Sequence, residues 1–330
     1  MAGTGLPLAL SLGDPAGIGP EIAVAARASG RITQPFFAIG DGRALGESAV
    51  PIADPAETAQ AWQYGVPVLE RPCPAPIVPG HPDTANAHAV IDWIETAVGL
   101  VHAGKALALV TNPIAKKVLY DGAGFSHPGH TEFLGALAGG VQPVMMIAGP
   151  NLRVVPVTIH IPLTEVPRAL TVDLIVETAR ITAEGLRRDF AIPAPRLAIA
   201  GLNPHAGEGG AMGREEIETI TPAVERLCAL GLDVTGPLPA DTMFHVEARR
   251  GYDVALTMYH DQGLVPVKAL DFDEGVNVTL GLPFVRTSPD HGTAFAIAGQ
   301  AKARSDSLIA ALNMAARMGA ARAGQAPALV

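Results

Sequence analysis

Leu6-Pro-Leu-Ala-Leu-Ser-Leu12 runs directly into Gly13-Asp-Pro-Ala-Gly-Ile-Gly19, and Pro20-Glu21 follows. The apolar run reads as a strand, the glycine-rich segment as a tight loop, and Pro20-Glu21 as the opening of a helix. Proline suits the first helical turn, where its missing N–H is not needed, and an acid there faces the positive end of the helix dipole. Working outward, further strands are expected at residues 36–39, 66–69 and 107–110. A helix is expected at 84–103, with apolar positions at Val90, Ile91, Ile94, Val98 and Val101. The second half repeats the theme. Strands are predicted at 144–147, 154–159, 197–200, 254–258, 276–280 and 284–285. Helices are predicted at 172–190, at 215–230 (closed by Gly231) and at 305–322, before a frayed Ala/Gly tail. Strand–helix alternation of this kind predicts an α/β fold with a largely parallel sheet. No repeat or low-complexity linker marks a boundary, so a two-lobed chain is free to cross between its lobes more than once.

At 330 residues the chain has room for two α/β lobes or one large one. Apolar residues make up 48% and charged residues 17%, which excludes a disordered chain. No uninterrupted apolar run reaches the roughly 18 residues of a membrane-spanning helix. The stretch from Met1 to Leu12 lacks the basic start and cleavage site of a signal peptide. Two cysteines, Cys73 and Cys228, are too few for a disulfide framework or a Cys-rich metal site, and a reducing cytoplasm is expected. The net charge is −9, and no Lys/Arg block interleaved with aromatics supports nucleic-acid binding. An anionic substrate remains compatible, because a diffuse acidic surface is screened over about 8 Å.

Of the ten histidines, His81, His88, His102 and His245 lie in polar or helical settings and are expected to be surface or structural residues. Three others share a position type. His160 follows Val154-Val-Pro-Val-Thr-Ile159, His205 follows Leu197-Ala-Ile-Ala-Gly-Leu-Asn-Pro204, and His260 follows Val254-Ala-Leu-Thr-Met-Tyr259. Open α/β sheets bind ligands at the carboxyl ends of their strands. Three imidazoles with an open coordination position suit a catalytic zinc. The competing reading is three histidines hydrogen-bonded to loop backbone, and spacing alone leaves both open. The glycine-rich Asn203-Pro-His-Ala-Gly-Glu-Gly-Gly210 lets backbone approach a ligand closely, or is a surface loop. Asp261, beside His260, is suited to ligate, to orient an imidazole, to act as a base, or simply to cap a turn.

Lys268 sits in Val265-Pro-Val-Lys-Ala-Leu270, Arg286 follows Pro283-Phe-Val285, and Asn277 lies between them. Singly, such cations snorkel to the surface. Together they suit a phosphate or carboxylate, with Arg as a bidentate donor and Lys as a point charge. His130 and Thr131 are expected to open a helix whose N–H groups favour an anion, with Thr131 as a plain N-cap in the competing reading. No G-x-G-x-x-G follows a strand and no Walker lysine occurs, so neither a standard Rossmann site nor a P-loop is expected. The loop 288–299 is the alternative place for a dinucleotide.

Seven motifs together carry a resemblance. They are Gly13-Asp-Pro-Ala-Gly-Ile-Gly-Pro-Glu21, Pro128-Gly-His-Thr-Glu-Phe133, Gly201-Leu-Asn-Pro-His-Ala-Gly-Glu-Gly-Gly210, Gly236-Pro-Leu-Pro-Ala-Asp-Thr242, Met258-Tyr-His-Asp-Gln-Gly263, Gly275-Val-Asn-Val-Thr-Leu-Gly-Leu-Pro283 and Asp290-His-Gly-Thr-Ala294. Through nearly its whole length the sequence resembles the 4-hydroxythreonine-4-phosphate dehydrogenase family of pyridoxal phosphate synthesis. That resemblance implies an isocitrate/isopropylmalate dehydrogenase-like fold of two α/β/α lobes with a cleft. One lobe would comprise roughly 1–130 and 292–330, and the other 131–291, with the metal histidines and a dimer interface. It implies a homodimer with its active site at the subunit interface; charge pattern and hydropathy, for their part, point to no nucleic-acid or membrane partner. It implies a divalent cation (Zn2+, or Mg2+/Co2+) on His160, His205 and His260, and substrate contacts from His130, Thr131, Lys268, Asn277 and Arg286. NAD+ or NADP+ would lie along Asp290, His291, Gly292, Thr293 and Ala294. The catalytic base would come from Asp241, Asp261 or Lys116. Thr111-Asn-Pro-Ile-Ala-Lys116 departs from the glycine-containing form of that loop in some members. The implied reaction is oxidation of the C3 hydroxyl of 4-phosphonooxy-L-threonine, followed by decarboxylation to 3-amino-2-oxopropyl phosphate. The rivals are a sister dehydrogenase for phosphorylated four-carbon sugar acids or dihydrodiol dicarboxylates, a phosphate acyltransferase on a related fold, and a non-catalytic binding protein.

Overall fold

The computed structural model describes residues 5–324, so the end of the Ala/Gly tail lies outside the described residues. The chain divides into two compact units, one running to Pro143 and resuming at Leu282, the other Val144–Gly281. The first unit contains β1 (Leu8–Ser11), α1 (Gly19–Ala28), β2 (Phe36–Gly40), β3 (Ala49–Ile52), α2 (Thr58–Ala61), β4 (Val66–Glu70), α3 (Ala87–His102), β5 (Leu109–Thr111), α4 (Lys116–Ala123) and α5 (His130–Leu137). The second contains β6 (Val144–Ala148), β7 (Arg153–Thr158), α6 (Val166–Ala169), α7 (Val172–Asp189), β8 (Arg196–Ala200), α8 (Thr221–Ala229), β9 (Asp233–Leu238), α9 (Val246–Arg249), β10 (Val254–Tyr259), α10 (His260–Asp271) and β11 (Val276–Leu280). The first unit is completed by β12 (Arg286–Pro289) and α11 (Asp306–Arg322).

In the first unit the strand order is β3-β4-β2-β1-β5-β12, all parallel. β1 is buried on both faces, as a central parallel strand must be. Its loop then turns at Gly13, with φ +74°, and α1 begins with Pro20 in its first turn and Glu21 beside it, as expected. α3 covers the sheet with Val90, Trp93, Ile94, Ala97 and Val98. Each fully buried large side chain there contributes about 1.5–3 kcal/mol.

In the second unit the order is β11-β6-β7-β10-β8-β9. β7, β10, β8 and β9 are parallel, whereas β6 runs antiparallel to both β7 and β11. Met145, Ile147, Val154, Ala198, Ala255, Leu264 and Val267 share one core cluster.

Two expectations need correction, and one apolar run takes a form that the sequence left open. The apolar run 265–270 is helical, part of α10, in spite of Pro266 and two valines. Burial of Leu264 and Val267, and the close approach of Gly263 to Thr257, outweigh the weak local propensity. The segment 215–230 is not one α-helix but a π turn at Glu216–Ile220 leading into α8. The strand expected at 284–285 starts instead at Arg286. β3 and β9, unmarked in the sequence, are sheet-edge strands carrying Pro51 and Pro237, where a missing N–H is tolerated.

Candidate active site

Within the second unit, β10 pairs with β7 on one side and β8 on the other. The three histidines therefore follow the carboxyl ends of three neighbouring parallel strands. His160 and His205 both have left-handed backbone, with φ 52° and 53°. A non-glycine residue pays for that conformation, and such strain clusters at functional sites. The His160 and His260 rings lie 5.7 Å apart, centroid to centroid, and tilted by 40°. With Thr158, Leu163, Tyr259 and Asp261 they line a pocket of about 270 Å³. His260 Nδ1 is 2.8 Å from Asp261 Oδ1. With the proton assigned to Nδ1, it donates to the carboxylate and leaves the Nε2 lone pair for a ligand, so Asp261 orients the ring.

His205 is exposed on the loop after β8 and does not line that pocket. Among the described residues no group of three His, Cys, Asp or Glu side chains is gathered in metal-binding geometry. In donor type the residues nevertheless fit a divalent cation: they offer imidazole nitrogens, two of them lining one pocket and a third on the loop after the neighbouring strand β8. Asp241 is exposed in the loop between β9 and α9.

The His205 loop is unusual. His205, Ala206, Gly207, Glu208 and Gly209 are consecutively left-handed. Their turn closes over Glu216, a buried carboxylate that the sequence did not single out. Flanked by Glu215 and Ile217, it carries no local sequence signal, and its partner Asn203 is thirteen residues away.

The first unit carries a second cluster. Arg286 opens β12, is 2% exposed, and donates from Nη2 to the Thr111 Oγ1 at 2.7 Å. Thr111 is a partner that sequence reading missed. Burial brings the Arg286 pKa down to about 10, so the guanidinium stays charged at neutral pH. His130 is the first residue of α5; Gly129, not Thr131, is the N-cap. Lys116 Nζ lies beside that helix start, 3.2 Å from where a Gly129 Cβ would stand. Burial, then the Arg286 and Lys116 charges, hold the His130 pKa well below its usual value, so its ring is neutral. His130 Nε2 is buried without a hydrogen-bond partner. Two cationic side chains, a neutral imidazole and a helix N-terminus are together suited to an anion.

The titration of His130 has a consequence for stability. The unfolded chain takes up a proton near 6.5 and the folded chain does not, so folding loses free energy as pH falls below that value. His130→Gln should flatten this loss, seen as a smaller fall in thermal midpoint between neutrality and about pH 5.5. An unchanged slope would contradict the assignment.

Lys268 is half-buried on α10, and Asn277 on β11 has a buried Oδ1 without a donor. In the 290–294 segment, Asp290 N donates to Ser307 Oγ at 3.2 Å, and Ala294 has φ 46°. His291 Nε2 is buried without a partner. The Thr293 carbonyl accepts from Ile18 N at 3.0 Å, and a Cβ on Gly17 would stand 2.9 Å from it. The first glycine loop and this segment thus pack backbone to backbone.

The family model described as pyridoxal phosphate biosynthetic protein PdxA matches residues 32–315. A relative from Roseobacter denitrificans, called 4-hydroxythreonine-4-phosphate dehydrogenase, is 57% identical over 95% of this chain and 97% of its own. The crystal structure of a 4-hydroxythreonine-4-phosphate dehydrogenase from Klebsiella pneumoniae superposes with a TM-score of 0.87 at 36% identity, covering 97% of this chain and 99% of that one. A terephthalate 1,2-cis-dihydrodiol dehydrogenase from Burkholderia xenovorans gives 0.65 at 27% identity, over 94% and 98%.

Proposed function

The chain belongs to the pyridoxal phosphate biosynthetic protein PdxA family, and on that premise we propose that it oxidises 4-phosphonooxy-L-threonine with NAD+ or NADP+. The C3 alcohol gives its hydride to the nicotinamide and its proton to a base. The resulting 2-amino-3-oxo-4-(phosphonooxy)butanoate loses CO2 to give 3-amino-2-oxopropyl phosphate. The observation that carries this reading is the 57% identity with a relative of that name over nearly the whole chain.

The geometry supports separate tasks. Arg286, neutral His130, Thr131 and Lys116 at the start of α5 suit the phosphate dianion. Lys268 and Asn277 are assigned to the remaining polar groups of the substrate. His160, His205 and His260 would hold a divalent cation (Zn2+, or Mg2+/Co2+). When bound, that cation acts as a Lewis acid on the substrate oxygen. Asp261 steadies His260 and is one of three groups offered as the base, with Asp241 and Lys116. The nicotinamide cofactor is assigned to residues 290–294, where an orphaned His291 nitrogen and left-handed backbone leave polar groups to be met. The working form is a cytoplasmic homodimer with its site at the subunit interface.

The likeness to a dihydrodiol dehydrogenase favours one second reading, a sister oxidation of a different alcohol. Initial rates of NAD(P)H formation with 4-phosphonooxy-L-threonine, a 4-phosphorylated four-carbon sugar acid and a dihydrodiol dicarboxylate separate the two. The phosphorylated amino acid is expected to have the highest kcat/KM. Preference for the dihydrodiol overturns the proposal.

A further inference from the structure

We propose that Glu216 and Gln262 are positioning residues that fix where His205 and His260 stand, so that divalent-cation affinity depends on them. The inference rests on the reading of these histidines as cation ligands.

Glu216 is 3% exposed. Its Oε1 accepts from the N–H of Leu202 at 2.8 Å and of Asn203 at 2.7 Å, and its Oε2 accepts from Asn203 Nδ2 at 3.0 Å. No cationic side chain is paired with it among the described residues, so these N–H donors replace its lost hydration. The demand runs both ways: the carboxylate draws the chain after β8 onto itself. Gly207, at φ +78°, lies so close that a Cβ there would stand 2.5 Å from Glu216 Oε2. Three non-glycine residues, His205 among them, are held left-handed around this point. Such a run persists only where its surroundings impose it. Glu216 also begins a π turn, a feature frequent at functional sites.

Gln262 links this loop to the next strand. Its Nε2 donates to the Gly201 carbonyl at 2.7 Å, and its Oε1 accepts from Met258 N at 2.7 Å. One buried amide thus ties the residue after β8 to the amide two residues ahead of His260. From Glu216 through Leu202 and Gly201 to Gln262 and Met258, an unbroken path joins the two strand ends. If these groups only held the fold together, their loss would lower stability and leave the affinity of the folded protein alone.

The test titrates Co2+ into the full-length protein, read by calorimetry and by the visible ligand-field absorption. Glu216→Gln keeps the size of the side chain but turns one acceptor into a donor facing Asn203 Nδ2. It is expected to weaken Co2+ binding about 10- to 100-fold and to alter the absorption band. It should add no further loss in a His205→Ala background. Gln262→Met, a second variant in case the first folds poorly, should also weaken Co2+ binding. Amide hydrogen exchange should rise at Leu202 and Asn203 in Glu216→Gln. Wild-type affinity in both folded variants overturns the proposal, as does an equal loss from Glu216→Gln with and without His205. If His205→Ala alone binds Co2+ like wild type, the ligand reading of His205 fails, and the proposal falls with it.

Discussion

His260→Ala should lower kcat/KM by about a thousandfold, because the Lewis-acid contribution of a held cation is several kcal/mol and each 1.36 kcal/mol is a tenfold change. His260 is half-exposed at the start of α10, so its removal leaves no buried void and the thermal midpoint should stay near that of wild type. His160→Ala should behave in the same way, since the two rings share one pocket. Asp261→Asn keeps a hydrogen-bonding group beside His260 Nδ1 and weakens only its orientation, so a smaller loss is expected. Rates measured after chelation and dialysis against metal-free buffer, then with added Zn2+, Mg2+ or Co2+, decide the matter. Full activity of either alanine variant would sink the assignment.

Arg286→Met should raise KM for the phosphorylated substrate and lower kcat/KM by about 10- to 100-fold, the worth of one charge-assisted hydrogen bond of roughly 1.5–3 kcal/mol. The thermal midpoint should be unchanged or higher. A guanidinium held at 2% exposure carries a large desolvation cost, and an apolar side chain of similar length relieves it. Arg286→Lys should not restore activity, because a point charge replaces a planar fork. Activity lost together with stability would point to a structural role. An unchanged KM would remove Arg286 from the substrate site.

The sequence made some of this legible for simple reasons. β1, β6, β7, β8 and β10 are short apolar runs ending at turn residues, and the histidines stand just past three of those ends. What stayed hidden depends on contacts across the chain. Val265, Pro266 and Val267 are weak helix formers, and what holds them helical, the burial of Leu264 and Val267, is a tertiary contact. Arg286 and Thr111 are 175 positions apart, and Gln262 and Gly201 are 61 apart, so no local pattern could announce either bond. The neutrality of His130 comes from its burial beside two cations, which composition cannot reveal. Spacing also promised more than the side chains deliver: two imidazoles meet, and His205 stands on its own loop.

β6 and β11, the first and last strands of the second unit, are paired, with Val144 opposite Leu280. The segment therefore starts and stops at one place, the topology of an insertion into a host gene. All three histidines, with Glu216 and Gln262, are encoded within that single uninterrupted cassette, whereas His130 and Arg286 are encoded on its flanks. The three candidate cation ligands thus lie on one continuous stretch of chain, and the candidate anion contacts His130 and Arg286 lie on either side of it.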